Sequence, residues 1–257
     1  MNPPLPRIDR KSALPLLGLA MAYPSAGSLE RIGPDWDWVW IDLQHGDLDL
    51  REMTDLVRTC DFIGKPGLVR VPAQDPGWVS RALDSGAAGV IVPMVESLDE
   101  ARAMVRAAKF PPLGNRSYGG RRVIDRLGRG YYRAANEDMV LIVQVESNEA
   151  VALSDELAAL PGIDGLFLGP DDLTIREGRD VDSPKDAATI GRQAHHVADC
   201  CRRHGKLSVC VGAGDAAMAL AKDCGYRLVV GGGDVGFLAG GSKAASQKAR
   251  AFFAPKA

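Results

Sequence analysis

Several residues with the chemistry of an active site stand where apolar runs of this chain give way to loops. The run that begins near Met139 closes in Gln144-Val145-Glu146, and the run from Gly165 closes in Gly169-Pro170-Asp171-Asp172. Hard divalent cations take oxygen ligands, and Mg²⁺ commonly binds one or two carboxylates plus substrate and water. Glu146 and Asp172 therefore suit metal-assisted chemistry better than a closed structural cage. His45, three residues beyond Asp42, is a proton carrier near neutral pH. Arg70, on a short apolar run, brings a positive charge that no ordinary pH removes. Each has a plainer reading: Asp172 as a helix cap, His45 as a polar loop residue, Arg70 as a structural partner of Asp42 or Glu96.

These residues need a scaffold that brings strand ends together, and the chain supplies one. Eight short runs rich in Leu and β-branched residues read as strands, at 16–21, 38–43, 67–71, 89–95, 139–146, 165–169, 206–211 and 228–232. They are continuously apolar rather than alternating, as parallel strands covered on both faces are. Amphipathic stretches at 27–32, 50–62, 76–85, 99–109, 150–160, 185–204, 216–224 and 237–253 read as the intervening helices. Ser97 with Glu100 forms a candidate capping box, and Gly205 and Gly225 stand where helices should stop. Eight strand–helix units in 257 residues predict a single (β/α)₈ TIM barrel spanning 1–257. An open doubly wound sheet would be expected to carry GxGxxG after its first strand, and that is absent. An Arg- and Gly-rich insertion at 111–136 enters the fifth strand, which places it at the bottom of the barrel.

Composition narrows the class further. The chain is 46% hydrophobic and 25% charged with a net charge of −2, which gives no case for nucleic acid or a membrane surface. The apolar run after Arg7, Arg10 and Lys11 imitates an export signal, but Asp9, Pro15 and Gly18 interrupt the pattern. Five cysteines without a CxxC pair predict reduced thiols and a cytoplasmic protein. His195, His196 and His204 lie on one predicted helix and read as a solvated face. The glycines at 231–233 read either as a phosphate cradle or as sites of close approach.

In order along the chain, Trp38-Val39-Trp40-Ile41-Asp42-Leu43-Gln44-His45-Gly46, Val69-Arg70-Val71-Pro72, Leu83-Asp84-Ser85-Gly86-Ala87, Val92-Pro93-Met94-Val95, Gln144-Val145-Glu146-Ser147 and Gly169-Pro170-Asp171-Asp172-Leu173 resemble the HpcH/HpaI family of class II 4-hydroxy-2-oxo-acid and 2-keto-3-deoxy acid aldolases. The resemblance implies a barrel enzyme that uses Mg²⁺, Mn²⁺ or Co²⁺ to cleave such acids reversibly to pyruvate and an aldehyde, in aromatic or sugar acid catabolism. It implies metal ligation by Glu146 and Asp172, and pyruvyl binding by Gln144 and the backbone around Asp171 and Asp172. His45 would be the base, Arg70 the transition-state stabiliser, and Asp84 the group that raises the basicity of His45. Two positions depart from the family's habit: Asp171 stands where a small residue is common, and Gln44 where an acidic one is. The resemblance also implies a homo-oligomer, a hexamer or trimer, with the last helix packed on another chain.

The residue types fit that chemistry. Retro-aldol cleavage takes a proton from the C4 hydroxyl and leaves a pyruvate enolate, whose charge a metal and a guanidinium can stabilise. No lysine stands at the C-terminal end of a predicted strand, which favours a metal mechanism over an imine one. A malyl- or citryl-type lyase acting on a 3-hydroxyacyl-CoA remains open, as do a phosphate-binding isomerase and a barrel that binds 2-oxo acids without turning them over.

Overall fold

The computed structural model describes residues 4–254. Eight parallel strands close on themselves in chain order: β1 (Leu16–Met21), β2 (Trp38–Asp42), β3 (Gly67–Arg70), β4 (Gly89–Val92), β5 (Val140–Val145), β6 (Gly165–Leu168), β7 (Leu207–Val211) and β8 (Leu228–Gly233). β1 pairs with both β2 and β8, so the stretch that imitates an export signal closes the barrel.

The barrel interior is filled by alternate residues of the strands, because side chains of a strand point to opposite faces with a period of two. Trp38 and Trp40, Leu68, Ile91, Val140 and Ile142, Phe167, Val209, Leu228 and Val230 form one buried cluster, plugged from below by Ile8. The other face of each strand packs outward against the helices in a second, larger cluster. Following the interior rows upward, Trp38 and Trp40 lead to Asp42, Leu68 leads to Arg70, and Val140 and Ile142 lead to Gln144 and Glu146. The rows that make the core thus turn polar at the C-terminal end of the barrel.

The helices are α1 (Ala26–Ile32), α2 (Leu50–Phe62), α3 (Pro76–Asp84), α4 (Leu98–Ala108), α5 (Arg121–Leu127), α6 (Tyr132–Asp138), α7 (Asn148–Ala152), α8 (Ser154–Ala159), α9 (Pro170–Arg176), α10 (Gly191–Arg203), α11 (Asp215–Cys224) and α12 (Asp234–Phe253). α2 shows how they attach. Met53, Leu56, Val57 and Cys60 recur at three- and four-residue spacing and are buried, each such side chain contributing roughly 1.5–3 kcal/mol for the larger ones. The expected capping box at Ser97 and Glu100 forms, and Asp49 with Glu52 makes a second. Gly225 ends α11 in the left-handed conformation.

Four details differ from the sequence reading. The predicted helix at 150–160 is two helices, α7 and α8, meeting at Leu153. The one predicted from 185 starts at Gly191, because Asp186 first turns the chain by accepting from the amides of Ala188 and Thr189. The insertion at 111–136 holds α5 and α6. α9 opens directly after Gly169, with Pro170 at its first position, where proline's missing N–H costs nothing. α12 buries only Asp234 within this chain and leaves Val235, Phe237, Leu238, Phe252 and Phe253 exposed. No helix among the described residues is long and apolar enough to cross a membrane.

Candidate active site

Asp42, Arg70, Gln144 and Glu146 form one buried chain of hydrogen bonds across β2, β3 and β5. The Arg70 guanidinium donates to Asp42 through Nε at 2.8 Å and Nη2 at 2.6 Å, the parallel fork that arginine makes with a carboxylate. Its Nη1 reaches Gln144 Oε1 at 3.3 Å, and Gln144 Nε2 donates to Glu146 Oε2 at 2.6 Å. The guanidinium also lies 4.5 Å above the Trp40 ring, a cation–π contact worth about 2 kcal/mol when desolvated. Trp40 in turn meets Phe167 edge-on at 5.4 Å, so the arginine rests on the packed barrel interior.

Asp42 does more than hold Arg70. Its Oδ1 also accepts from the amides of Gln44 at 3.0 Å and His45 at 3.3 Å. One carboxylate therefore fixes both the arginine and the turn that carries the histidine. The His45 side chain is exposed at this end of the barrel.

Glu146 is 1% exposed and has its two oxygens occupied by different donors. Oε2 takes the Gln144 amide, and Oε1 takes the backbone N–H of Met94 at 2.6 Å. Met94 supplies that donor from the left-handed region, with φ at 55°, a conformation that costs a non-glycine residue roughly 1–3 kcal/mol. Gln74 Nε2 holds the Met94 carbonyl at 2.5 Å. Burial pushes the Glu146 carboxyl above its ordinary pKa; the Met94 N–H opposes the shift, while the nearby Asp172 carboxylate reinforces it. Arg70 and Arg176 pull it back down more weakly.

Asp172 stands in the first turn of α9, half-buried and close enough to Glu146 for the two charges to be felt. Gly169 lets α9 approach. A Cβ there would lie 2.6 Å from Glu146 Oε2 and 2.8 Å from Gln144 Nε2. Asp171 points outward, its side chain 70% exposed and 3.4 Å from Lys185 Nζ, so its carboxylate does not enter the site. Glu96, at the loop after β4, pairs with Arg176 of α9. A cavity of about 480 Å³ opens beside Trp40, walled by Ala20, Val211, Val230 and Phe237. The glycines of β8 serve close packing here: a Cβ on Gly231 would meet Trp36 at 3.0 Å, and one on Gly232 would meet Phe237 at 2.6 Å.

Asp84 lies elsewhere. It ends α3 just before β4 begins, at the opposite end of the barrel, and accepts from Arg116 of the insertion at 2.7 Å. Within one chain the fold does not bring it to His45. The helix histidines do not cluster either. His195 faces Asp223 at 3.2 Å, and His204 faces Asp155 at 3.0 Å.

The donor set fits a divalent cation held in an open site. Glu146 and Asp172 are two neighbouring carboxylates; burial is the main reason the Glu146 pKa is raised, and the Asp172 charge adds to it, so a cation bound here would be favoured by both. Among the described residues no three His, Cys, Asp or Glu side chains group closely enough to enclose a metal. An ion here would keep positions for water and substrate, as Mg²⁺ sites commonly do. Sequence reasoning missed the Met94 N–H, the Gly169 approach and the Trp40 platform. Only the glycine left a signal, standing directly before Pro170-Asp171-Asp172.

Known proteins resemble this chain in sequence and fold. The family model described as HpcH/HpaI aldolase/citrate lyase matches residues 27–236. A 2-dehydro-3,6-dideoxy-6-sulfogluconate aldolase of Pseudomonas putida is 38% identical over 161 residues, which span 62% of this chain and 63% of that one. A hydroxypyruvate/pyruvate aldolase of Rhizorhabdus wittichii is 33% identical over 219 residues, covering 84% of this chain and 86% of its own. The crystal structure of an HpcH/HpaI aldolase/citrate lyase family protein from Burkholderia cenocepacia superposes with a TM-score of 0.83 at 33% identity, covering 94% and 96% of the two chains. The polar ends of the barrel rows thus belong to a (β/α)₈ lyase, and this chain is a member of the HpcH/HpaI aldolase family.

Proposed function

We propose that the protein is a divalent-metal-dependent aldolase that reversibly cleaves a 4-hydroxy-2-oxo acid to pyruvate and an aldehyde. The observation that carries this reading is the pairing of Glu146 and Asp172 next to the Arg70–Gln144 bond chain, at the strand ends where barrel enzymes work. Glu146 and Asp172 hold Mg²⁺, Mn²⁺ or Co²⁺, which when bound supplies Lewis-acid stabilisation of the charge developing on the 2-oxo oxygen. The ligand chemistry does not choose among the three ions.

The chain's own groups do the rest. Gln144 and the backbone at Asp171 and Asp172 bind the carboxylate of the 2-oxo acid, with the Asp171 side chain turned to Lys185. Arg70 presents a fixed positive charge to the same oxygen, and it needs no reorganisation because Asp42 and Trp40 already hold it. His45 takes the proton from the C4 hydroxyl as the C3–C4 bond breaks and its electrons move onto the 2-oxo oxygen. Return of a proton to C3 releases pyruvate. The apolar walls beside Trp40 leave room for the substrate chain. Asp84 reaches a histidine only across a subunit boundary, since its own chain holds it at the other barrel end. The exposed apolar residues of α12 suit packing on another copy in a trimer or hexamer. Five buried free cysteines suit a cytoplasmic setting.

Pyruvate release from a generic 4-hydroxy-2-oxo acid, coupled to lactate dehydrogenase, tests the reading. Activity abolished by EDTA and restored by Mn²⁺ or Mg²⁺ is expected. Turnover indifferent to EDTA would remove the metal from the mechanism, and turnover that requires CoA would favour the thioester lyase.

A further inference from the structure

At the opposite end of the barrel from the catalytic residues, a cavity of about 410 Å³ is walled by four cationic side chains, Arg10, Arg202, Lys206 and Arg227, against one carboxylate, Asp164. Asp164 precedes β6, Lys206 precedes β7 and Arg227 precedes β8, so the cavity sits at the strand N-termini.

The positive charge is not cancelled locally. Asp164 is consumed: Oδ1 accepts from Arg10 at 2.7 Å, and Oδ2 accepts from Lys109 at 2.6 Å and from the Leu141 amide at 2.8 Å. Arg202 is offset by Asp199 at 2.6 Å. Lys206 has only the Ile163 carbonyl, at 2.7 Å, and Arg227 Nη2 has only the Ser12 carbonyl. Carbonyl oxygens satisfy hydrogen bonds without neutralising charge, so these two cations remain uncompensated among the described residues. Arg227 Nε is buried and has no acceptor among the described residues. An unmet buried donor is costly, and the ordinary remedy is an acceptor from outside the protein. Ser208 is buried beside it; its oxygen accepts from the Arg227 amide at 3.2 Å, which leaves the hydroxyl proton to donate. Burial is the main reason the Lys109 pKa is lowered and Asp164 opposes the shift, while Arg10 and Lys206 add weakly to it, so positive charge is felt beyond the cavity wall.

We infer that this cavity is a binding site for the phosphate group of a small organic phosphomonoester, held by Arg227, Lys206 and the Ser208 hydroxyl. A tetrahedral dianion offers several acceptors at once, matching one guanidinium edge, one ammonium and one hydroxyl. The volume exceeds what a phosphate group alone fills, which is why the ligand carries an organic part. Occupancy would tie the segment carrying Arg10 and Ser12 to the starts of β7 and β8. The site is remote from Glu146 and separate from the aldol chemistry.

Isothermal titration of the full chain with glycerol 3-phosphate, with inorganic phosphate, and with sodium chloride at matched ionic strength tests this. The expected result is one saturable site per chain for glycerol 3-phosphate, tighter than for phosphate and absent for chloride. Affinity should fall at least tenfold in Lys206→Gln and in Arg227→Gln, and stay unchanged in Glu146→Gln. The Lys206→Gln variant keeps the test open should Arg227→Gln fold poorly. Binding lost in Glu146→Gln but kept in Lys206→Gln would place the anion at the catalytic end and overturn the inference. Non-saturating heats shared with chloride would mean an adventitious ion only. Phosphate binding as tightly as the ester would overturn the organic part of the assignment.

Discussion

Removing Asp42 should damage this protein so much that removing its partner as well adds little. Asp42 is 8% exposed and Arg70 5%, and two charge-assisted bonds at 2.6 and 2.8 Å join them. Asp42→Ala leaves a buried guanidinium with only Gln144 and the Trp40 face, a change that costs about 3–5 kcal/mol. Arg70→Met keeps an apolar stem over Trp40 but strands the carboxylate on two amides, for a similar loss of about 3–5 kcal/mol. The double variant buries neither charge alone. It should be destabilised by little more than either single variant, giving a coupling of at least about 2 kcal/mol in the cycle. Urea unfolding of the four proteins, metal-free and at one protein concentration, measures it. Coupling below about 0.5 kcal/mol would mean that solvent already screens the pair, and the buried network would lose its energetic basis.

Three further outcomes follow from the same geometry. Gly169→Ala places a methyl within 2.6–2.8 Å of Glu146 and Gln144, so activity should drop by about two orders of magnitude while circular dichroism stays native. Arg70→Lys removes the planar fork but keeps the charge, and kcat should fall about 10²–10³-fold with the fold intact; a near wild-type kcat would show that charge alone suffices. Burial pushes the thiols of Cys201 and Cys224 up to about 12 and about 11, from an ordinary 9.0. A folded-state pKa raised above the unfolded one contributes stability that is present below pH 9 and lost as pH rises toward 11–12. Thermal unfolding across that range should show the decline, and Ellman's reagent at pH 8 should titrate the cysteines only after denaturation.

The barrel was legible in the sequence because parallel strands covered on both sides are written as unbroken apolar runs. β1 matches the observed strand at both ends, and six others differ by a single residue at one or both ends. At β4 the reading ran on to Val95, because Pro93 and Val95 remain apolar after the ladder has ended at Val92. α9 was legible only as the alternative in which Asp172 caps a short helix, because Pro170-Asp171-Asp172 reads equally as a ligand loop and as a helix start. Glu146, Gln144 and Arg70 were recoverable as polar residues ending apolar strands. The Met94 amide was not, since a backbone donor in a left-handed conformation has no side-chain signature. The location of Asp84 was legible, since a helix predicted over 76–85 puts it at the end that leads into the fourth strand, at the bottom of the barrel and away from His45. The family resemblance suggests a partnership that a single barrel keeps apart, and the ion pair with Arg116 shows which end of the barrel holds it.

The proposed aldol chemistry requires two carboxylates sharing one cation, and direct Mn²⁺ binding tests that most simply. Titration of the metal-free protein, followed by calorimetry or by loss of the free Mn²⁺ resonance signal, should give one ion per chain. Glu146→Gln and Asp172→Asn should each weaken it at least a hundredfold while the metal-free proteins keep a native circular dichroism spectrum. Undiminished Mn²⁺ binding in both variants would contradict the assignment and place the metal elsewhere.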